Sequence, residues 1–216
     1  IEQSRWTTTE TIVNLIKASD SPPDLLISGS AIGYYGRQDD TPIDESFDAP
    51  FDEFSHRLCE RWEQIAMQAQ SAKTRVCILR TGIVISKRGG ALHKMLTPFK
   101  FGLGGPIGHG KQYMSWIHLE DMLQGILHLI QHESCSGVFN FTAPNPVTNQ
   151  VFSEKLAATL KRPCLFRMPE FMLRRLMGEM ADLLIYGQRV MSQKLLDLGY
   201  HFVYPELSHV FDCVKK

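Results

Sequence analysis

Residues 25–36 read LLISGSAIGYYG, and the fold follows from how that stretch is understood. The apolar run beginning at Asp24 is too short and too continuous for a surface helix. It suits a parallel strand over 24–28, covered on both faces. The strand then empties into Ser28, Gly29 and Ser30, with a tandem Tyr34-Tyr35 beyond. Further on, RVCILRTGIVI (75–85) reads as a second buried strand ending on the polar step Arg80-Thr81-Gly82. In open α/β sheets ligands gather outside the carboxyl ends of the strands. Two neighbouring strand ends therefore offer small donors and open backbone to one crevice. The plainer alternative is that the serines only terminate strands.

Outward from these strands, helix and strand alternate. A helix over 7–19 stops at the breaker cluster SDSPPD. A second helix, within 51–70, repeats Phe51, Phe54, Leu58, Trp62, Ile65 and Ala69 at helical spacing. An amphipathic stretch GALHKMLTPF precedes a glycine-rich loop, a strand MSWIH, the helix LEDMLQGILHLIQH and the strand GVFNFT. That order predicts an α/β class with an open, doubly wound parallel sheet between helices. After residue 143 the character becomes helical, so the expected units are residues 1–143 and a smaller lobe, 144–216. The opening, IEQSRWTTTETIVNLIKAS, has no initiator methionine and no preceding strand, and reads as a fragment.

The totals exclude several classes. Lys+Arg and Asp+Glu number 23 each, which leaves no electrostatic case for nucleic acid or an anionic membrane. No apolar run is long enough to span a bilayer. Five scattered cysteines without a C-x-x-C pair favour a reducing, cytoplasmic setting. The sequon at Asn140 has no secretory signal beside it and reads as chance. His128 and His132, with Cys135 just beyond, superficially suit zinc, but no second ligand cluster supports a metal.

Four segments together, ISGSAIGYYG, RTGIVI, GLGGPIGHGKQYMSWIHLEDM and LMGEMADLLIYGQRV, give the chain its resemblance. It resembles the extended short-chain dehydrogenase/reductases of the nucleotide-sugar epimerase/dehydratase type, and among them the bacterial "epimerase family" branch with its own C-terminal extension. The resemblance implies a Rossmann-like NAD(P)-binding fold, NAD or NADP as cofactor, and a nucleotide sugar or related small molecule as substrate. It puts Ser30 in the catalytic serine position and Tyr34 or Tyr35 in the tyrosine of the V-Y-G step, with Tyr34 the expected catalytic residue of the two. Ser28, Gly29, Arg80, Thr81, Gly82 and Ile83 would line the cofactor; Met114, Ser115, Trp116, Gln188 and Arg189 would line the substrate. It also implies a homodimer through the helices at 7–19 and 52–70.

Two departures qualify that picture. The only G-x-x-G-x-x-G pattern, Gly102–Gly105–Gly108, follows an amphipathic stretch and leads into KQYMSWIH. It lacks the strand–turn–helix setting of a pyrophosphate cradle and reads as a substrate-side loop. About four family strands are therefore expected to be missing, and this chain alone is expected to be inactive. Second, no tyrosine is followed four residues later by lysine, the cation that favours a phenolate. The helix that should carry the pair offers Ser55 and Cys59, or Phe51 and Ser55. Cys59 is open to two readings, nucleophile or buried packing residue. His118 is either a donor to substrate or a tie between loops; Asp121 either caps the next helix or pairs with a base. Arg189 suits a phosphate, whereas Arg174-Arg175 reads as a solvated helix face. The alternative function is a non-catalytic nucleotide-binding or regulatory protein of the same fold.

Overall fold

The computed structural model describes residues 2–87 and 89–214. In chain order the elements are α1 (Glu2–Ala18), β1 (Leu25–Ala31), β2 (Pro42–Ile43), α2 (Phe54–Met67), β3 (Arg75–Thr81) and β4 (Ile83–Ser86). They continue with α3 (Gly90–Lys100), β5 (Tyr113–Met114), β6 (Trp116–His118), α4 (Leu119–Gln131), β7 (Gly137–Phe141) and β8 (Val147–Thr148). The remainder is α5 (Asn149–Thr159), α6 (Glu170–Met177), α7 (Asp182–Ile185), β9 (Arg189–Val190), α8 (Gln193–Asp197) and α9 (Leu207–Val214).

The principal sheet is parallel, in the order β1-β3-β7. Its register sets Ser30 beside Arg80 and Arg80 beside Asn140. Alternation along the strands divides the apolar residues between two layers. Val76 and Ile78 pack with Val13 of α1, with Ala66 of α2 and with Ala69 just past its end. Cys77, Leu79, Phe139 and Phe141 pack with Leu129 of α4 and Leu195 of α8. This two-sided covering is why the strands read as unbroken apolar runs. A third cluster joins Leu92, Leu96 and Phe99 of α3, Phe152 and Leu156 of α5, and Val210 and Phe211 of α9 around Ile85 and Trp116. The C-terminal helices thus share one core with residues that precede 143.

Three expectations are corrected by backbone geometry. β1 runs to Ala31, so Ser28, Gly29 and Ser30 lie within the strand rather than past its end. The expected single strand over 75–85 is two, β3 and β4, divided at Gly82. There the chain leaves β7 and takes β6 as its neighbour: Gly82 N donates to Phe141 O, and Ile83 N to Ser115 O. MSWIH likewise divides at Ser115 into β5 and β6.

Asp121 is also reassigned. It is fully buried and does not cap α4; it accepts hydrogen bonds from Tyr200 Oη, Val203 N and Tyr204 N, and its charge also reaches the His118 ring. The α4 cap is His118, whose Nδ1 accepts from Glu120 N at 3.2 Å.

Gly82 is the tightest point of the strand switch. A Cβ there would sit 2.5 Å from Ser115 O and 2.9 Å from Thr142 Cγ2. Gly82→Ala is therefore expected to lower stability by ~1–3 kcal/mol through overpacking, read as a reduced urea midpoint at unchanged slope.

Candidate active site

One register row of the sheet is polar. Ser30, Arg80 and Asn140 stand side by side on β1, β3 and β7, all buried. Over this row α2 places Glu63. Its carboxylate takes a bidentate pair from Arg80, Nε to Oε1 at 2.9 Å and Nη2 to Oε2 at 2.8 Å, and a third hydrogen bond from Ser30 Oγ at 2.6 Å. Arg80 Nη1 donates to Tyr35 Oη at 3.1 Å, and Tyr35 Oη donates to Asn140 Oδ1 at 2.8 Å. Asn140 Nδ2 then donates to Met191 O at 2.9 Å, so the sequon asparagine is used up inside the fold. Glu45 closes the far edge, accepting from Asn140 N and Lys194 N. Burial raises the pKa of Glu45, against the pull of those backbone amides.

The charges are arranged to survive burial. Desolvation opposes a charged Arg80, yet the hydrogen bonds and charge of Glu63, with Tyr35, hold its pKa above the ordinary arginine value. Tyr35 is fully buried, and desolvation pushes its pKa up to about 12 even beside Arg80.

The two tyrosines are not equivalent. Tyr34 lies with its ring centroid 3.3 Å from the Arg80 guanidinium carbon and edge-on to both Tyr35 and His56. The backbone of the turn is tied to α2 where His56 Nδ1 meets Tyr34 O. The Tyr34 hydroxyl has no hydrogen-bond partner among the described residues, and the residue is half-buried. Its ring is thus fixed while its phenol is unclaimed.

Beneath this turn lies the face of α2 that carries Ser55 and Cys59. A Cβ on Gly33 would approach Ser55 Cβ at 3.2 Å and Cys59 Sγ at 3.8 Å. Ser55 Oγ donates to Glu53, and burial pushes the Cys59 thiol up. Cys59 is therefore the packing residue of its two readings.

The remaining predicted residues divide by exposure. Thr81, one step past Arg80, alternates to the opposite face and donates to Leu79 O. Met114, Ser115 and Trp116 are buried. Ser115 Oγ donates to Gln188 O and accepts from Val190 N, which sews β9 to the strand ends. Gln188 Nε2 donates to Gly36 O. Arg189 is partly exposed, sits 5.3 Å from the Tyr113 ring centroid, and has a buried Nε with no partner among the described residues. His118 stacks on Tyr204 at 3.9 Å, and burial lowers its pKa. Of its two readings, the structure shows the tie. Among the described residues no group of three or more His, Cys, Asp or Glu could hold a metal. The Gly102–Gly108 loop packs against another segment: a Cβ on Gly105 would meet Phe166 O. It does not open a helix and so makes no pyrophosphate cradle.

Against known proteins, the sequence profile described as "NAD dependent epimerase/dehydratase family" matches residues 2–141. The chain belongs to that family. A domain of unknown function, DUF1731, matches residues 168–212. An epimerase family protein of Mycobacterium leprae is 39% identical over 203 residues, covering 94% of this chain and 65% of that protein. An Arabidopsis thaliana relative, "Epimerase family protein SDR39U1 homolog, chloroplastic", is 37% identical over 94% of this chain and 59% of its own. The chain thus spans about two thirds or less of these relatives. Among solved structures, human epimerase family protein SDR39U1 (isoform 2) with NADPH superposes with a TM-score of 0.95 at 30% identity, covering 100% of this chain and 73% of that one. A nucleoside-diphosphate sugar epimerase from Corynebacterium glutamicum gives 0.79 at 29% identity, covering 96% and 41%.

Glu63 and Asn140 were not singled out from sequence as site residues. A usable signal for Glu63 was a carboxylate among the apolar positions of an amphipathic helix, since such a charge is rarely buried unpaired. Glu63→Ala is expected to cost ~3–5 kcal/mol by stranding Arg80, measured by urea denaturation. The Tyr35 shift gives a pH signature. An unfolded tyrosine titrates near ~10, so the unfolded chain releases its proton first, and stability present below that pH is lost as pH rises toward about 12. Between ~pH 9 and ~pH 11, Tyr35→Phe should lose about 1 kcal/mol less stability than the unsubstituted chain.

Proposed function

We propose that the protein is an NAD(P)-dependent oxidoreductase of the epimerase/dehydratase type, acting on a nucleotide sugar or a related small molecule. The observation that supports this most directly is the overlay of all of this chain on a relative solved with NADPH. In this reading residues 1–143 form the cofactor side and 144–216 the substrate side. Gly29, Thr81, Gly82 and Ile83, at or near the strand ends, line the nicotinamide half of the dinucleotide. A nicotinamide held there would supply hydride transfer.

The chain's own residues supply the proton chemistry. Among the described residues Tyr34 carries the one unclaimed phenol beside the polar row, and it exchanges the proton of the reacting hydroxyl. Ser30, committed to Glu63, acts as a positioning residue: it holds the carboxylate that holds Arg80 beneath the Tyr34 ring. Arg189 offers donors for a substrate phosphate, with its Nε unpartnered among the described residues, and Gln188 fixes the approach of that segment. The homodimer through α1 and α2 and the reducing compartment belong to the same proposal. Buried free thiols at Cys59, Cys77 and Cys135 are compatible with the latter.

A second reading, nucleotide binding without turnover, is supported by the sequence itself, in which no tyrosine is followed four residues later by lysine. The full-length protein distinguishes the two. Tyr34→Phe should leave NADPH binding, followed by nicotinamide fluorescence, within about twofold. It should lower turnover by ~10²–10⁴-fold, as expected for loss of a general acid–base group. Turnover unchanged by the substitution would remove Tyr34 from this role. Binding without any turnover across a panel of sugar nucleotides would leave the second reading.

A further inference from the structure

The formal charges of the chain cancel, and no described helix is long and apolar enough to cross a membrane. Neither fact describes how charge is distributed over faces. Residues 100–111 and 161–175 carry seven lysines and arginines against one carboxylate, Glu170. The fold lays these two segments along each other. Arg162 Nε donates to Lys100 O at 2.8 Å, Gly102 packs on Pro163, and Gly105 packs on the Phe166 backbone. Met168 N donates to Pro106 O, Gly108 N to Met168 O, and Arg167 Nη1 to the carbonyls of Gly108 and His109. α6 continues the surface from Glu170.

What this ribbon exposes is unusual for a solvated face. Phe101, Leu165 and Phe171 are 75%, 80% and 70% exposed, and Leu103, Phe166 and Met172 are exposed as well. Apolar residues scattered singly need no explanation, whereas a concentration of this size marks an interaction surface. On α6, Phe171 and Met172 share the exposed side with Arg174 and Arg175, while Leu173 turns inward. Of the cations, Arg174 is held by Asp182 and Arg167 by loop carbonyls. Lys100, Lys111, Lys161 and Arg175 have no side-chain partner among the described residues.

We propose that this surface docks on the face of an anionic phospholipid bilayer. Large apolar side chains interleaved with lysine and arginine suit the headgroup–acyl boundary: the aromatic and leucine side chains enter it, and the cations stay among the phosphates. A protein interface of comparable apolarity is depleted in lysine at its centre, which makes a protein partner the poorer fit. Lying on a membrane and spanning one are different physical claims. A balanced total charge argues against neither, because seven of the 23 cations lie along these two neighbouring segments with one carboxylate among them. The proposal does not depend on the oxidoreductase reading.

Flotation with vesicles tests it, comparing phosphatidylcholine alone with a mixture containing ~30% phosphatidylglycerol. The full-length protein is expected to float with the anionic vesicles at low salt, and less so at ~0.5 M NaCl. Lys100→Gln/Arg175→Gln should reduce partitioning ~10-fold or more, and Phe101→Ser/Leu165→Ser should abolish it, each with a melting curve matching the unsubstituted chain. If the serine pair melts early, the charge pair, which removes no core residue, decides alone. Equal binding to neutral vesicles, binding that survives the charge pair, or no binding at all would overturn the proposal. So would light scattering that shows a dimer abolished by the serine pair without any vesicle binding, which would assign the surface to a second copy of the chain.

Discussion

The Arg80–Glu63 ion pair governs how the sheet and its covering helix can be placed. A buried pair of this kind is tolerated only when every remaining donor and acceptor is satisfied. Here that requirement recruits Ser30 from one neighbouring strand and Asn140 from the other, with Tyr35 from the turn between β1 and β2. A sliding helix or a shifted strand register would leave a charge unpaired in the interior. The apolar layer beneath it, Val76 and Ile78 against Ala66 and Ala69, would tolerate more than one packing. The polar row accepts one.

That row also explains how the chain arranges a tyrosine without the usual neighbouring lysine. Two aromatic side chains follow each other at the end of β1, and the guanidinium separates their fates. Tyr35 gives its hydroxyl to the network, and burial shifts it away from ionisation. Tyr34 gives only its ring face. Because Glu63 neutralises the guanidinium, Arg80 is a poor stand-in for a free ammonium, and its stacking serves to orient the Tyr34 ring. The proton chemistry in the proposed enzyme would rest on placement and on what the bound ligands contribute.

Much of the architecture is legible in the residues. LLIS and RVCILR are unbroken apolar runs because both of their faces are covered, whereas the stripe expected on α2 is turned away from its buried side: Phe51 and Phe54 are exposed and Leu58 and Trp62 half-buried, while His56, Cys59, Glu63, Ile65 and Ala66 face inward. What the pattern does not carry is where a continuous strand changes partner. RVCILRTGIVI has no turn residue other than Gly82, and only the packing of Ser115 O and Thr142 against it shows why the chain must divide there. The site was legible in part. Ser30, Tyr34 and Arg80 do come together, since strand ends gather chemistry. Glu63 and Asn140 stayed hidden because their partners are 17 to 105 residues away in sequence, and no local spacing encodes such a meeting. Met114 and Trp116 matched a family segment, yet their side chains serve the core.

Asp121 carries a last implication. Its carboxylate lies at the start of α4 and is fully buried, and it is satisfied by the phenol and amides of residues 200–204. The tail of the chain therefore acts as a counterpart built into the sheet layer rather than as an appendage fastened to it. Swapping the C-terminal portion between distant homologues would transplant an acceptor without its donors, or the reverse. The two portions should accordingly be inherited as a matched set, with recombination points between them disfavoured.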